Sequence, residues 1–273
     1  MRYGLAACVT GAALMLAAPA MAEKNAVSQL NIKAEGFGGI LSEGEAYGGA
    51  GSVAIPILEG LGAQVDVLAG ALDGEFTYGI GGHLFWRAPS TGLIGLVASY
   101  LDADGLYDVF RIGGETEWYF GDVTLGGTLG WQTAETDYIE DDYYFAGVEG
   151  KFYATDDVAL NLGVTALGFE GNEDFQFNAG VEFGLMENIS LYVDGKVGTE
   201  TDEVVLGGIR IALWGEGKTL KHRDRYDDPS NVLLRNVRET EAIIKDVRHI
   251  EDLLAGGGGG GGGGGIPIIG GLF

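Results

Sequence analysis

Residues 174–198 read DFQFNAGVEFGLMENISLYVDGKVG, and their alternation decides the fold class. Phe175, Phe177, Ala179, Val181 and Phe183 share one parity, while Gln176, Asn178, Gly180, Glu182 and Gly184 share the other. After Met186-Glu187-Asn188 the pattern resumes, with Ile189, Leu191, Val193 and Val197 set against Ser190, Tyr192, Asp194 and Lys196. Successive side chains of a strand point to opposite faces, so this is a strand pair with one apolar and one polar face. One such pair fits any antiparallel sheet with a solvated face. Here the pattern recurs from residue 26 to residue 214.

The chain opens with MRYGLAACVTGAALMLAAPAMA, in which Arg2 precedes an apolar run from Leu5 to Ala18 and the ending Ala20-Met21-Ala22. That arrangement predicts a signal peptide over 1–22, cleaved after Ala22. Cys8 is the single cysteine, so the mature chain would carry no thiol, and Glu23 rather than Cys would follow the cut, which argues against a lipoprotein. No later stretch holds the ~18–20 uninterrupted apolar residues of a membrane helix.

Glycine accounts for 50 of 273 residues, against a usual share of roughly 7%. The acidity is localised. From Glu23 to Gly215 there are 7 Lys+Arg and 31 Asp+Glu; from Glu216 onward the counts are 8 and 9. A strand region this negative makes nucleic acid an unfavourable partner.

Turn signals divide 26–214 into twelve strands: 26–37, 46–57, 61–72, 75–87, 92–101, 107–119, 122–133, 143–154, 157–169, 174–185, 188–198 and 203–214. These lengths suit transmembrane strands of ~9–11 residues. Connections after even strands are short (LEG, APST, GD, TDD, MEN), whereas LSEGE, DADGL and AETDYIEDD after odd strands are longer and acidic. An even strand count with short turns on one rim and long loops on the other is an outer-membrane barrel pattern, with both barrel ends in the periplasm. Val123, Leu125, Leu129 and Trp131, then Val158, Leu160, Leu162 and Val164, would face lipid. Tyr119, Phe120, Trp131, Tyr143, Tyr144, Phe152 and Tyr153 lie near strand ends, where aromatic girdles sit. Periodicity alone leaves open a soluble barrel with the apolar face inward; export, glycine content and loop asymmetry favour polar-in.

On these features residues 26–214, about 70% of the chain, resemble Gram-negative outer-membrane β-barrel proteins of the porin-like class. The resemblance is one of pattern, without a family-specific motif. It implies an all-β, up-and-down transmembrane barrel at 23–215 in the cell outer membrane, surrounded by lipid and inserted by the barrel assembly machinery. Gly207 to Trp214 is similar to the terminal strand signal that this machinery reads, although Trp214 is out of phase with Ile209, Ile211 and Leu213.

Beyond the barrel, 216–229 reads as a charged periplasmic linker and 230–254 as an amphipathic helix. Asp228-Pro229-Ser230 supplies capping chemistry, and Leu233, Leu234, Val237, Ile243, Ile244, Val247, Ile250, Leu253 and Leu254 follow at helical spacing. Gly256–Gly265 stops it, and 255–273 reads as a glycine-rich tether with the apolar tail IPIIGGLF. The helix would either dock to a periplasmic partner or to itself, or pack under the barrel floor or lie on the inner leaflet.

The polar parity collects Lys33, Glu35, Asp66, His83, Arg111, Glu115, Glu117, Glu149, Lys151, Glu182, Asp194, Lys196 and Arg210 as candidate lumen residues. They would line a polar passage, or pair across strands and close a narrow barrel. Asp102, Asp104, Glu140, Asp141, Asp142, Glu173 and Asp174 form a candidate extracellular acidic rim that draws cations to the mouth. A metal site there is less economical than a solvated rim, since Asp102-Ala-Asp104-Gly lacks the Glu that closes a calcium loop. His83 has no Ser two residues on, unlike outer-membrane phospholipases, and His222 and His249 have no ligand partners at metal spacing. The expectation is a cofactor-free, non-enzymatic barrel. It is either a passive channel for small hydrophilic solutes with a cation bias, or a closed scaffold whose tail does the work.

Overall fold

Twelve antiparallel strands close on themselves in sequence order in the computed structural model. The structure describes residues 25–239, apart from 43, 105–106, 137–139, 170–171, 200–202, 215–218 and 228. The leader expected at 1–22 and the tail 240–273 lie outside the described residues. The strands are β1 (Asn31–Leu41), β2 (Gly44–Leu58), β3 (Leu61–Leu72), β4 (Glu75–Ala88), β5 (Gly92–Ala103), β6 (Tyr107–Phe120), β7 (Val123–Glu135), β8 (Glu140–Thr155), β9 (Val158–Phe169), β10 (Asn172–Met186), β11 (Ile189–Gly198) and β12 (Val204–Trp214). β1 closes on β12 from Ile40↔Val205 to Lys33↔Ala212. Closure pairs every strand on both sides and leaves no open sheet edge.

The polar parity faces inward. Asn31, Lys33 and Glu35 of β1, Gln64 and Asp66 of β3, and Ser99 and Arg111 across β5 and β6 are buried. The opposite parity carries Val65, Val67, Leu84, Leu129, Leu162, Phe177 and Val193, all exposed. The barrel therefore wears an apolar belt around a polar interior.

Both barrel ends, Asn31 and Trp214, stand at one rim, called here the terminal rim; the other is the opposite rim. Three details depart from the sequence pattern. First, the expected long loops are mostly strand: β7 runs to Glu135 and β8 begins at Glu140, so AETDYIEDD extends a hairpin. The ladder continues because Thr133↔Asp142 and Glu135↔Glu140 still pair. Second, Trp214 pairs with Ile32 across a register shift, and this bulge at the rim aims the out-of-phase indole outward. Third, the segment expected to begin β1 at residue 26 turns inward instead. Ala26 and Val27 are fully buried against Ala54, Phe85 and Leu93, forming part of a floor at the terminal rim.

Two helices follow the barrel, α1 (Leu220–Tyr226) and α2 (Val232–Glu239). α1 lies in the stretch expected to be linker, capped by Thr219, whose hydroxyl accepts from the His222 N–H. α2 is the described part of the helix expected over 230–254. It sits inside the ring of strands rather than in the periplasm beneath it: its cap Asn231 bonds β2, and its own residues bond inward-facing groups on β3, β5, β6, β10 and β11.

Candidate functional site

The lumen and the chain segment within it form the candidate site. Its floor has two halves. Residues 25–30 close one side, where the Ser28 N–H donates to Tyr226 O at 2.9 Å and Arg87 Nη1 donates to Ala26 O at 3.4 Å. α1 closes the side beneath β7–β9. Lys221 Nζ donates to Asp122 in the β6–β7 turn at 2.6 Å, and the Leu220 N–H donates to Asp157 in the β8–β9 turn at 3.0 Å. Arg225 donates to Gly121 O and Val123 O and lies over the rings of Tyr119 and Tyr153. Asp224 accepts from Lys151 Nζ at 2.9 Å and from the Tyr153 hydroxyl at 2.8 Å. Burial pushes the Asp224 carboxyl up, but Lys151, then Arg210 and the Tyr153 hydroxyl, outweigh it and hold it at about 2. Lys221 likewise holds the exposed Asp122 carboxyl below its ordinary value.

Above the floor the chain enters the lumen. Pro229 O accepts from Lys33 Nζ at 3.0 Å and from Gln64 Nε2 at 3.2 Å. Asn231 caps α2, accepting from the Leu233 N–H while donating to Ser52 Oγ and Gly51 O. Asp66 Oδ2 accepts from the Val232 N–H at 2.9 Å, placing a carboxylate at the positive end of the helix. The same Asp66 Oδ2 meets His83 Nε2 at 3.0 Å, and His83 Nδ1 meets Glu115 Oε1 at 2.8 Å. A ring carrying both protons donates to each carboxylate. Higher up, Arg111 Nη1 donates to Asn236 Oδ1 at 2.7 Å and to Glu239 Oε2 at 2.6 Å, its guanidinium 4.3 Å from the Phe145 ring centroid. Arg238 meets Asp194 at 2.7 Å. Apolar side chains Val232, Leu233, Leu234 and Val237 pack in one cluster with Phe37, Leu68, Val97, Leu101 and Leu206 of the wall.

Every charged residue expected on the polar parity points into the ring, but they do not form one open lining. Lys33, Asp66, Arg111, Lys151 and Asp194 hold the inserted segment. Arg210 bridges Glu35 on β1 and Glu182 on β10, across β11 and β12, and Ser190 Oγ also donates to Glu182 at 2.6 Å. Glu117 accepts from the Tyr119 hydroxyl and Glu149 from Asn178. Lys196 is buried on β11. Of the residues expected in aromatic girdles, Phe120, Tyr144 and Phe152 are outward and exposed, whereas Tyr119 and Tyr153 face inward against α1 and Tyr143 packs on the internal cluster. Of the expected acidic rim, Asp102 accepts from the outward-facing Tyr78 hydroxyl, Asp104 and Glu140 are exposed, Asp142 accepts from Thr133, and Asp174 accepts from Thr199. The side chains of Asp141 and Glu173 lie outside the described residues.

Beside α2, along the β6–β10 wall, a polar cavity of about 90 Å³ remains. Five carboxylates (Glu115, Glu117, Glu149, Asp224 and Glu239) and four cations (Lys151, Lys196, Arg235 and Arg238) line it, so the cavity is nearly neutral. Asp224, Arg235, Arg238 and Glu239 belong to the inserted segment, outside the strands whose parity places the wall residues. A signal was available: 217–238 holds six cations against three acids, next to a strongly acidic barrel.

No family model and no curated protein matches this chain. Among solved structures it is similar to the KdgM porin in complex with disordered oligogalacturonate, at 10% identity and TM-score 0.52, covering 67% of this chain and 99% of that one. The NanC porin matches at 9% identity and TM-score 0.53, covering 65% of this chain and 98% of that one. The COG4313 outer membrane channel from Pseudomonas putida F1 matches at 9% identity and TM-score 0.50, covering 70% of this chain and 98% of that one. At these identities the likeness is one of fold: this chain has the closed barrel fold of outer-membrane porins.

Proposed function

We propose that the protein is an outer-membrane channel of the porin-like kind. It passes small hydrophilic solutes, cations ahead of anions, along the wet side of a lumen it shares with its own 220–239 segment. The observation that carries this reading is the charged cavity between α2 and the β6–β10 wall. Such a surface has no use in a dry core, where paired hydrophobic side chains pack at lower cost. The continuous apolar belt supports a bilayer setting, because an exposed apolar surface of that extent needs cover. A leader over 1–22 would deliver the chain to the envelope, the barrel assembly machinery would insert it, and the terminal rim with its α1 floor would face the periplasm. Since the cavity is nearly neutral, the cation bias rests on the acidic opposite rim, where exposed carboxylates such as Asp104, Glu140 and Asp142 act through solvent.

A second reading, a closed scaffold barrel, draws on the inserted segment itself, which is hydrogen-bonded to most of the strands around it. Docking of 230–254 to a periplasmic partner, or to itself, would then require its release. Liposome swelling separates the two readings. Proteoliposomes of the full chain should swell in small neutral and cationic solutes and exclude larger sugars; no swelling in any solute would leave the closed barrel.

A further inference from the structure

Most of the charges around the cavity beside α2 are already paired. Glu115 meets His83 at 2.8 Å, Asp224 meets Lys151 at 2.9 Å, Glu239 meets Arg111 at 2.6 Å and Arg238 meets Asp194 at 2.7 Å. Lys196 has a contact of its own. Glu117, Glu149 and Arg235 also line the cavity, and none of them has an ion pair among the described residues. Glu117 accepts from the Tyr119 hydroxyl at 2.7 Å and Glu149 from Asn178 Nδ2 at 3.3 Å, so both carboxylates have neutral partners and a second oxygen to spare. Arg235 donates no hydrogen bond to a described residue.

The two carboxylates flank a glycine. Glu117 of β6 pairs with Gly126 of β7, and Gly126 pairs with Glu149 of β8, so one cross-strand row reads acid, glycine, acid. Neighbouring strands lie ~4.8 Å apart, which sets the two acids roughly 10 Å apart at the backbone, within reach of one positive group held between their side chains. Gly126 leaves space for that group. A methyl group built there would have only Glu149 O at 3.7 Å and Thr116 O at 3.9 Å within 4 Å, with no side chain over it. Arg235 stands on α2, which forms the other side of the same cavity. The wall thus offers two acceptors for a cationic group, and the helix offers a planar fork of donors for a carboxylate. A lone cation would leave Arg235 without a counter-charge, and a lone anion would leave the two acids without one. The centres of water molecules have about 90 Å³ to occupy there, room for several waters or for one small molecule in their place.

We propose that this cavity binds a small zwitterion of the amino-acid kind, its ammonium between Glu117 and Glu149 over Gly126 and its carboxylate on Arg235. The inference deepens the channel reading and rests on it for an open lumen: zwitterions are the solutes that dwell inside, while the rim acts on ions before entry. A second space of about 60 Å³ shares Glu149, Lys151, Ser230 and Arg238 with the first, so a molecule leaving the site on that side keeps polar walls beside it.

Isothermal titration of the full chain in detergent micelles at pH 7 and low salt tests this, with glycine and γ-aminobutyrate set against methylammonium and acetate, which carry one charge each. At least one zwitterion should bind about tenfold tighter than either singly charged ion, because it gains a second charge-assisted contact. Glu149→Gln and Arg235→Gln should each weaken zwitterion binding about tenfold. Gly126→Val, whose side chain enters the open space, should abolish it, and all three variants should keep heat-modifiable migration. Methylammonium or acetate binding as tightly as both zwitterions overturns the proposal, as does absence of zwitterion binding by the folded, unsubstituted chain; neither result depends on a variant. Zwitterion affinity unchanged in the folded variants puts the ligand elsewhere and also overturns it. Titration in micelles needs no current. Binding without conductance in bilayers therefore supports the site while removing the channel reading, and conductance without binding removes the site alone.

Discussion

Gly81 separates the inserted segment cleanly from the wall. It faces inward on β4, and a methyl group built there would lie 2.5 Å from Val232 Cγ1, while its nearest wall atoms, Ala98 O and Asp66 Cβ, are at an unstrained 3.5 Å. Carbon–carbon contacts are comfortable at ~3.5–4.0 Å, so in Gly81→Ala the Val232 side chain has to retreat by roughly 1 Å. Overpacking of this kind costs about 1–3 kcal/mol. At 1.4 kcal/mol per decade that raises the open population of α2 roughly 5- to 150-fold. Hydrogen exchange in detergent micelles reads it directly: peptides covering 230–239 should exchange faster by that factor, while strand peptides keep their protection. Val232→Ala removes the clashing methyl groups, so the double variant should exchange like Val232→Ala alone, a coupling that only a direct contact produces. Unchanged exchange of 230–239 in Gly81→Ala, equal acceleration of strand peptides, or a double variant as open as Gly81→Ala would refute a direct Gly81–Val232 contact.

Three further outcomes are expected. Arg210→Leu strands the buried carboxylates of Glu35 and Glu182 without their shared cation; losing one partner of such a network costs about 3–5 kcal/mol, and the midpoint of heat-modifiable gel migration should fall, whereas an unchanged midpoint would remove Arg210 from the barrel's stability. Asp224 is held at about 2, below its value in an unfolded chain, so its contribution is complete above the unfolded carboxyl range and disappears as pH falls through about 2; amide protection of 220–226 should hold at pH 5 and drop between about pH 4 and 2, and Asp224→Asn should show the loss already at pH 7. Gly92→Ala would place a methyl group 2.1 Å from Glu117 O, a backbone atom of the neighbouring strand that cannot rotate away; the yield of assembled, heat-modifiable barrel should collapse, and normal assembly would show that β5 and β6 are not so closely apposed.

The wall was legible because strand parity is a local property. Phe177 against Gln176 and Val193 against Asp194 already define outside and inside, and the register follows once hairpin turns such as Glu187-Asn188 are placed. The bulge that turns Trp214 outward was visible as a break in phase, though not as a bulge. The content of the lumen was not legible, because it depends on pairings between residues far apart in the chain: Lys33 with Pro229, Asp66 with Val232, Lys151 with Asp224 and Arg111 with Glu239. Helical periodicity around Leu233 and Val237 identified an apolar stripe but not the surface it meets. Here that surface is Phe37, Leu68, Val97 and Leu206, inward residues that a purely polar reading of the inner face passes over.

The central claim is that solutes pass beside an inserted segment, with selectivity set by the acidic rim. Reversal potentials of the full chain in planar bilayers under a salt gradient address it most directly. The expected result is a small single-channel conductance whose cation selectivity is present at ~0.01 M salt, where charges act over roughly 30 Å, and fades toward 1 M, where screening confines them to about 3 Å. Gly81→Ala should raise that conductance. Anion selectivity, or the absence of current from both the unsubstituted chain and Gly81→Ala, would contradict it.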